Sequence, residues 1–361
     1  MTVPQPDTSW RATRPDRGNV VVITGASAGV GRAAAVAFAR RGWCVALLAR
    51  GRRGLKDARR EVAQAGGQAL VIQVDVADAD AVDAAADQVV AAWGGIDVWV
   101  NNAMVTVYAP VEETTPAEFK RVTEVTYLGQ VHGTLAALKH MHRQGAGSIV
   151  QVGSALAYRS IPLQSAYCAA KAAARGFTDS LRSELIHERS PVRLTMVHLP
   201  AVNTPQFDWA RSRLPRQLQP VPPIHDPEVA AEAIVRAARK SPRELWVGSP
   251  TIKAILGTIA APGLLDQLLA RGAWDGQMTD EPASPRPDNL FEPVDGKASL
   301  GGRFAPVARP RAITASATLV RWLAGLTVLG TVATVAGLMR GPSKPKSITT
   351  AQRAPLPKTR Q

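Results

Sequence analysis

An α/β fold, a doubly wound parallel sheet between two layers of helices, is what this sequence predicts, on three observations. Short apolar runs rich in Val, Ile and Leu alternate with longer helical runs between residues 20 and 247. Those short runs are apolar at odd and even positions alike, as strands covered by helices on both sides must be. Finally, Gly25, Asp75, Asn101, Ser154 and Pro200 each follow directly on an apolar run. Ligands of such sheets bind at the carboxyl ends of the strands, so that clustering argues for one site.

The elements follow in order. Val20–Thr24 reads as a buried strand, then an alanine-rich helix runs to Arg41. Trp43–Ala49 precedes a helix near Leu55–Ala65, and Ala69–Val74 precedes one near Ala79–Ala92. Asp97–Asn101 leads to a long helix near Pro116–His142. Ser148–Gly153 leads to the helix that carries Tyr167 and Lys171. Val192–Leu199 and Glu244–Val247 complete the sheet. Glycines in the first turn, T-G-A-S-A-G-V-G, let the backbone approach a pyrophosphate, to which a helix N-terminus offers free N–H groups. The spacing T-G-x-x-x-G-x-G is not the common G-x-G-x-x-G fingerprint.

Tyr167 and Lys171 stand four residues apart in Y-C-A-A-K, with Ser154 thirteen residues before the tyrosine. Residues i and i+4 share a helix face. An ammonium beside a phenol favours the phenolate, so the tyrosine is expected to titrate closer to neutrality. Such a tyrosine can give or take a proton at a carbonyl or alcohol oxygen, which a serine hydroxyl can hold. A lone Y-x-x-x-K would read as a surface pair on an ordinary helix. Here it accompanies the glycine turn and N-N-A at 101–103. Together, in this order and at these spacings, the motifs resemble the short-chain dehydrogenase/reductase family over about residues 18–250.

The resemblance implies a Rossmann-type domain, a nicotinamide coenzyme and hydride transfer to or from a carbonyl carbon. It implies catalytic roles for Ser154, Tyr167 and Lys171. It implies coenzyme contacts at Gly25, Ser27, Gly29, Gly31, Asp75, Val76, Asn101, Ala103, Tyr167, Lys171 and Thr204. Asp75 is equally placed to cap the next helix. No Asp or Glu occurs between Val45 and Lys56, whereas Arg50, Arg52 and Arg53 do. A basic residue after the second strand suits a 2′-phosphate, so Arg50 favours NADP(H), with NAD(H) possible, unless these arginines only form a solvated loop. The chain departs from the family at Met104, where N-N-A-G has glycine. It departs again at Thr126, where an asparagine kinks the middle helix and holds a relay water, and at Ala201 in place of the glycine of P-G. A dimer or tetramer through the helices near 116–142 and 165–189 is implied by resemblance only.

Residues 201–225 fall where the family carries a substrate lid. Phe207, Trp209 and Leu214 there either line a lipophilic pocket or pack the lid onto the domain. The net charge of +14 would fit nucleic acid, but eleven Lys/Arg and no Asp/Glu lie from Lys297 onward, leaving +3 (14 less 11) for residues 1–296. The excess belongs to the tail, and no nucleic-acid partner is expected. Trp322–Met339 is an uncharged apolar stretch between Arg321 and Arg340, just long enough to span a bilayer or to pack as a helix on a soluble partner. Residues 1–17 are expected to be flexible, 18–275 to form the enzyme domain and 276–312, rich in proline, to be a disordered linker. A membrane helix over 313–340 and a basic tail over 341–361 complete the expected layout. Ile252–Ala270, interrupted by Pro262, is too broken to span; it suits a membrane surface, a cap on the substrate pocket or ordinary packing. No apolar run precedes the first strand, so no secretory signal is expected and the catalytic domain is expected on the cytosolic side. The two cysteines and six histidines show no metal spacing.

Two functions are compatible with these residues. One is an NADP(H)-dependent oxidoreductase of a lipophilic carbonyl or alcohol, tethered to a membrane. The other is a nucleotide-binding sensor or scaffold with little catalysis, motivated by Met104 and Thr126. A non-catalytic protein has no physical need for Ser154, Tyr167 and Lys171 together.

Overall fold

In a computed structural model, which describes residues 18–325 apart from 295, 297 and 323, the first apolar run forms β1 (Val20–Thr24), buried throughout. Gly25 turns the chain at φ +68° into α1 (Gly29–Ala39). The alternation continues through β2 (Cys44–Ala49), α2 (Arg52–Gln64), β3 (Gln68–Gln73) and α3 (Ala79–Trp93). The Asp78 side chain caps α3, accepting from the Ala81 N–H at 3.0 Å. β4 (Val98–Asn101) and the two-residue β5 (Val107–Tyr108) follow.

The expected long helix at 116–142 is interrupted. A capping box of Thr115 and Glu118 starts α4 (Pro116–Thr123), a π-helical turn occupies Glu124–Leu128, and α5 (Gly129–Gln144) resumes. Next come β6 (Gly147–Ser154), α6 (Ser165–His187) and β7 (Val192–Leu199). The lid region holds the single turn α7 (Gln206–Trp209) and the short strands β8 (Arg211–Ser212) and β9 (Arg216–Leu218). After α8 (Pro227–Lys240) and β10 (Glu244–Val247), Ile252–Ala270 falls in two helices, α9 (Ser249–Ala260) and α10 (Pro262–Asp275), with the break at Pro262. β11 (Met278–Pro282) and β12 (Thr314–Ser316) close the described fold.

Eight strands make the sheet in the order β12-β10-β7-β6-β4-β1-β2-β3. Every pair in it is parallel except β10–β12. Side chains alternate across it: Val21 and Ile23 join the core under α1, α2 and α8, while Val20 and Val22 join the core under α3 to α6. Each such buried aliphatic side chain contributes about 1.5–3 kcal/mol. The chain leaves β3 at one edge and returns as β4 on the far side of β1, so strand order reverses between β1 and β4. A crevice at the carboxyl ends is the geometric result.

The expectation of a disordered 276–312 linker is corrected. β11 pairs antiparallel with β9, the Arg286 guanidinium donates to the Phe207 carbonyl at 2.7 Å, and Leu290 is fully buried. The segment is too polar to form a core of its own, but two apolar anchors, Met278 and Leu290, and hydrogen bonds to the domain hold it. The helix expected from residue 313 does not begin there, because Thr314–Ser316 pairs with β10 as an edge strand. The chain divides into two units, 1–317 and 318–361. Most of Trp322–Met339, all of 341–361 and residues 1–17 lie outside the described residues. Among the described residues no helix is long and apolar enough to cross a membrane.

Candidate active site

The carboxyl ends of the strands border a cavity of about 520 Å³. Gly25, Ser27, Gly29, Arg50, Asp75, Val76, Ala103, Ser154, Tyr167, Lys171 and Thr204 all line it. Ser154 ends β6 in extended backbone, and its hydroxyl accepts from the Leu156 N–H at 3.1 Å. The Tyr167 phenol on α6 lies beside that hydroxyl, which favours its ionised form. One helical turn on, Lys171 is buried, its ammonium donating to the Val152 carbonyl at 2.6 Å and standing 5.7 Å from the centre of the Tyr167 ring. The three side chains predicted to act together are thus brought together.

The electrostatics differ from the simple expectation. Burial pushes the Tyr167 phenol up, against the hydrogen bond from Ser154, which lowers it. Burial pushes Lys171 down to about 7. A lysine desolvated that far is a weak cation near neutral pH, so it does not pull the bare phenol down as two solvated groups would. An ammonium with donors to spare, aimed into a cavity, is a fit for a polar ligand such as a ribose hydroxyl pair.

The glycine turn also fits a dinucleotide. A Cβ on Gly31 would stand 2.3 Å from the Gly25 carbonyl oxygen, and one on Gly25 2.8 Å from the Ala103 Cα. Only glycines let the β1–α1 turn and the N-N-A loop approach so closely. Gly31 itself packs beneath the turn, whereas Gly29 opens α1, where the first N–H groups have no partner within the helix.

Asn101 is not brought to the cavity. It is fully buried, taking the Trp99 indole N–H at 2.8 Å and donating to the Gln130 carbonyl and the Thr134 hydroxyl. Asn102 does the work at the turn instead, donating to the Thr24 carbonyl at 3.0 Å, while the Thr24 hydroxyl accepts the N–H groups of Asn102 and Ala103. In an N-N dipeptide on a strand end, side-chain alternation was the signal that one asparagine points inward. Arg50 reaches the cavity, but its guanidinium donates to the carbonyls of Asn289, Leu290 and Phe291. Asp75 pairs with Arg121 at 2.5 Å and accepts from the Ala77 N–H, so it anchors α4 as well as the rim. The Thr126 hydroxyl, in the π turn, is taken up by both the N–H and the carbonyl of Val105. It therefore braces a loop, and the relay expected of the residue at this place has no free donor here.

The polar side chains packed beneath Ser154 had no signal in the sequence. His198 of β7 lies 3.0 Å from the Ser154 carbonyl and 3.4 Å from Glu244, which also accepts from the Tyr158 phenol at 2.7 Å and the Trp246 indole. Burial would raise the Glu244 carboxyl, but these partners hold it well below the usual carboxylate range. These residues are far apart in the chain, so only the sheet register joins them.

Toward the lid the cavity wall is largely apolar, with Tyr108, Leu156, Ile161, Phe207, Trp209 and Leu269 among its side chains beside the amides of Gln206 and Gln219. Phe207 and Trp209 therefore line the pocket, while Leu214 packs with Leu163, Leu218 and Met278 to hold the lid down. Both alternatives for the lid residues are realised, and Phe207 takes part in both, lining the pocket and packing with Leu214.

Comparison with known proteins agrees with this geometry. A family model for short chain dehydrogenase matches residues 19–214. The oxidoreductase YxnA of Bacillus subtilis is 34% identical over 275 residues, covering 75% of this chain and 77% of its own. A fatty acyl-CoA reductase of Acinetobacter baylyi is 30% identical, covering 71% and 84% respectively. The structure of an alcohol dehydrogenase from Thermococcus sibiricus, complexed with 5-hydroxy-NADP, superposes with a TM-score of 0.54 at 31% identity, over 63% of this chain and 95% of that one. Sequence, fold and the Ser154–Tyr167–Lys171 cluster together establish that the chain belongs to the short-chain dehydrogenase family of oxidoreductases.

Proposed function

We propose that this chain is an NADP(H)-dependent oxidoreductase that interconverts a lipophilic carbonyl compound and its alcohol at a membrane. The observation that carries the substrate class is the apolar wall of Phe207, Trp209, Leu156 and Leu269 beside Ser154 and Tyr167. A nicotinamide, when bound, supplies or accepts the hydride. Gly25, Gly29 and the first turn of α1 would hold its pyrophosphate, and Lys171 and Thr204 would face its nicotinamide half. Ser154 holds the substrate oxygen by a hydrogen bond. Tyr167 gives that oxygen a proton in reduction and takes it in oxidation. Phe207 and Trp209 exclude water from the reacting carbon.

Support for NADP(H) comes from Arg50 at the cavity rim, the lack of an acidic residue after β2 and the 5-hydroxy-NADP bound to the Thermococcus sibiricus relative. The fatty acyl-CoA reductase relative supports a fatty substrate. Membrane association, with the catalytic domain facing the cytosol, rests on the Trp322–Met339 stretch. Pairing into a dimer or tetramer through α4–α5 and α6 is proposed on family resemblance alone.

The test is coenzyme absorbance under turnover by the full chain in detergent, with long-chain and small polar aldehydes and alcohols, each with NADPH, NADH and their oxidised forms. Turnover of the fatty compounds that Tyr167→Phe abolishes is the expected result. Faster turnover of small polar compounds would refute the substrate class, and preference for NADH would refute the coenzyme. Recovery of the full chain in the soluble fraction after cell lysis would refute the tether.

A further inference from the structure

The family match ends at residue 214, yet a later segment returns across the crevice. Its first leg, residues 289–294, lies at the Arg50 bank. The Arg50 guanidinium donates to the carbonyls of Asn289 at 2.5 Å, Phe291 at 2.7 Å and Leu290 at 3.4 Å, and Arg121 donates to the same Leu290 carbonyl at 3.0 Å. The fully buried Leu290 side chain pins this leg to the core. The second leg, residues 298–304, lies over the glycine turn. Arg32 donates to the Ala298 carbonyl at 3.0 Å, and the Gly29 N–H donates to the Ser299 carbonyl at 2.9 Å. The leg then fastens to the Thr204 side of the crevice. Phe304 N–H donates to Asn203, Arg303 pairs with Asp208 at 3.0 Å and donates to the Leu218 carbonyl at 2.7 Å, and Gly302 presses on the Thr204 backbone. Pro293, Val294 and Ala298 form part of the cavity wall itself.

Two of these contacts use groups that a phosphorylated dinucleotide needs. The Gly29 N–H is one of the donors that the start of α1 offers to a pyrophosphate, and a carbonyl oxygen already fills it. Arg50 is the cation placed for a 2′-phosphate, and three carbonyl oxygens already surround it. A carbonyl is a weaker acceptor than a phosphate oxygen for a guanidinium, so a phosphate can displace it, whereas a 2′-hydroxyl cannot compete on the same terms.

We propose that the legs 289–294 and 298–304 are an intramolecular strap that competes with the coenzyme for Gly29 and Arg50. The coenzyme seats only when the strap lifts, and NADP(H) is selected over NAD(H) because its 2′-phosphate takes Arg50 from the strap. The inference rests on the dinucleotide reading of the crevice.

The test measures NADPH and NADH binding to the full chain by stopped-flow and equilibrium fluorescence, with variants of the strap's own residues, of which only Gly302→Ala bears on a coenzyme residue, Thr204. Arg303→Ala removes the Asp208 pair. Gly302→Ala places a Cβ 2.5 Å from the Thr204 carbonyl oxygen and forces that leg outward. Leu290→Ala removes the buried anchor of the other leg. Thermal melting confirms that each variant is folded, and agreement between Arg303→Ala and Gly302→Ala guards against a folding artefact in either. Expected are faster association and roughly fivefold tighter NADPH binding in the variants. Arg50→Ala, which frees the strap and removes the phosphate partner together, should bind NADH more tightly and gain nothing for NADPH. Equal association rates with equal or weaker NADPH binding in the strap variants would overturn competition and make the segment a wall that helps hold the coenzyme. If neither wild type nor any variant binds either nucleotide, the dinucleotide reading itself falls.

Discussion

Replacing Lys171 by methionine should abolish turnover and yet stabilise the fold. Lys171 is buried, with its ammonium on the Val152 carbonyl, and burial pushes it down to about 7 from an ordinary 10.5. Between those two values the unfolded chain holds a proton that the folded chain has released, so unfolding takes up a proton and raising the pH disfavours it. Stability tied to this group is therefore greatest above about pH 10.5 and falls as the pH drops toward 7. At about pH 8 the cost to the fold is on the order of 3 kcal/mol. Methionine removes that cost but takes the lysine donor from the Val152 carbonyl, which keeps only the Gln130 amide at 3.2 Å as a side-chain donor, a loss of about 1 kcal/mol. The net gain is about 2 kcal/mol, or roughly 3–6 °C in melting temperature. Urea unfolding of both proteins between about pH 7 and pH 10 is the assay. Wild-type stability should climb relative to the variant by about 1 kcal/mol for each pH unit. Parallel curves would refute the reasoning, because they would mean that Lys171 keeps its proton in the fold.

Three further outcomes are expected. Gly31→Ala drives a Cβ to 2.3 Å from the Gly25 carbonyl oxygen and 2.5 Å from the Asn102 amide; it should weaken NADPH binding more than about tenfold, read by fluorescence titration, and destabilise the fold by about 2 kcal/mol. Thr126→Val strips both backbone groups of Val105 of their partner and should cost about 2 kcal/mol in chemical denaturation, while the pH profile of turnover stays unchanged. Glu118 would be raised by burial, but Arg213, the Thr115 N–H and Arg211 hold its carboxyl down at about 2. Its contribution is fully present above the ordinary carboxylate value near 4.5 and is lost as the pH falls toward 2. Glu118→Gln should therefore lower stability by about 2 kcal/mol at neutral pH and flatten the acid limb of the stability curve.

Much of the domain was legible in the chain because the signals were local. Apolar runs of strand length bounded by glycine and helical stretches located the seven parallel strands, and a four-residue spacing put Tyr167 and Lys171 on one face. A T-G-x-x-x-G-x-G turn at a strand end located the crevice for the same reason, since glycine is required wherever backbones must nearly touch. Composition misled at 276–312. Proline and polar residues make a poor core, but the polar side chains and the backbone can hydrogen-bond to a surface that already exists, and no local pattern announces that surface.

The amino-acid sequence by itself determined the order of strands and helices, the Ser154–Tyr167–Lys171 constellation and the family. Those rest on residue periodicity and on groups only a few turns apart in the chain. Only the tertiary structure decided that Asn101 turns inward, that His198 and Glu244 brace Ser154, and that residues 289–294 and 298–304 return to contact Gly29 and Arg50. Each depends on contacts between residues tens to hundreds of positions apart. Sheet register and segment docking set those contacts, and they are properties of the assembled core rather than of any window along the chain.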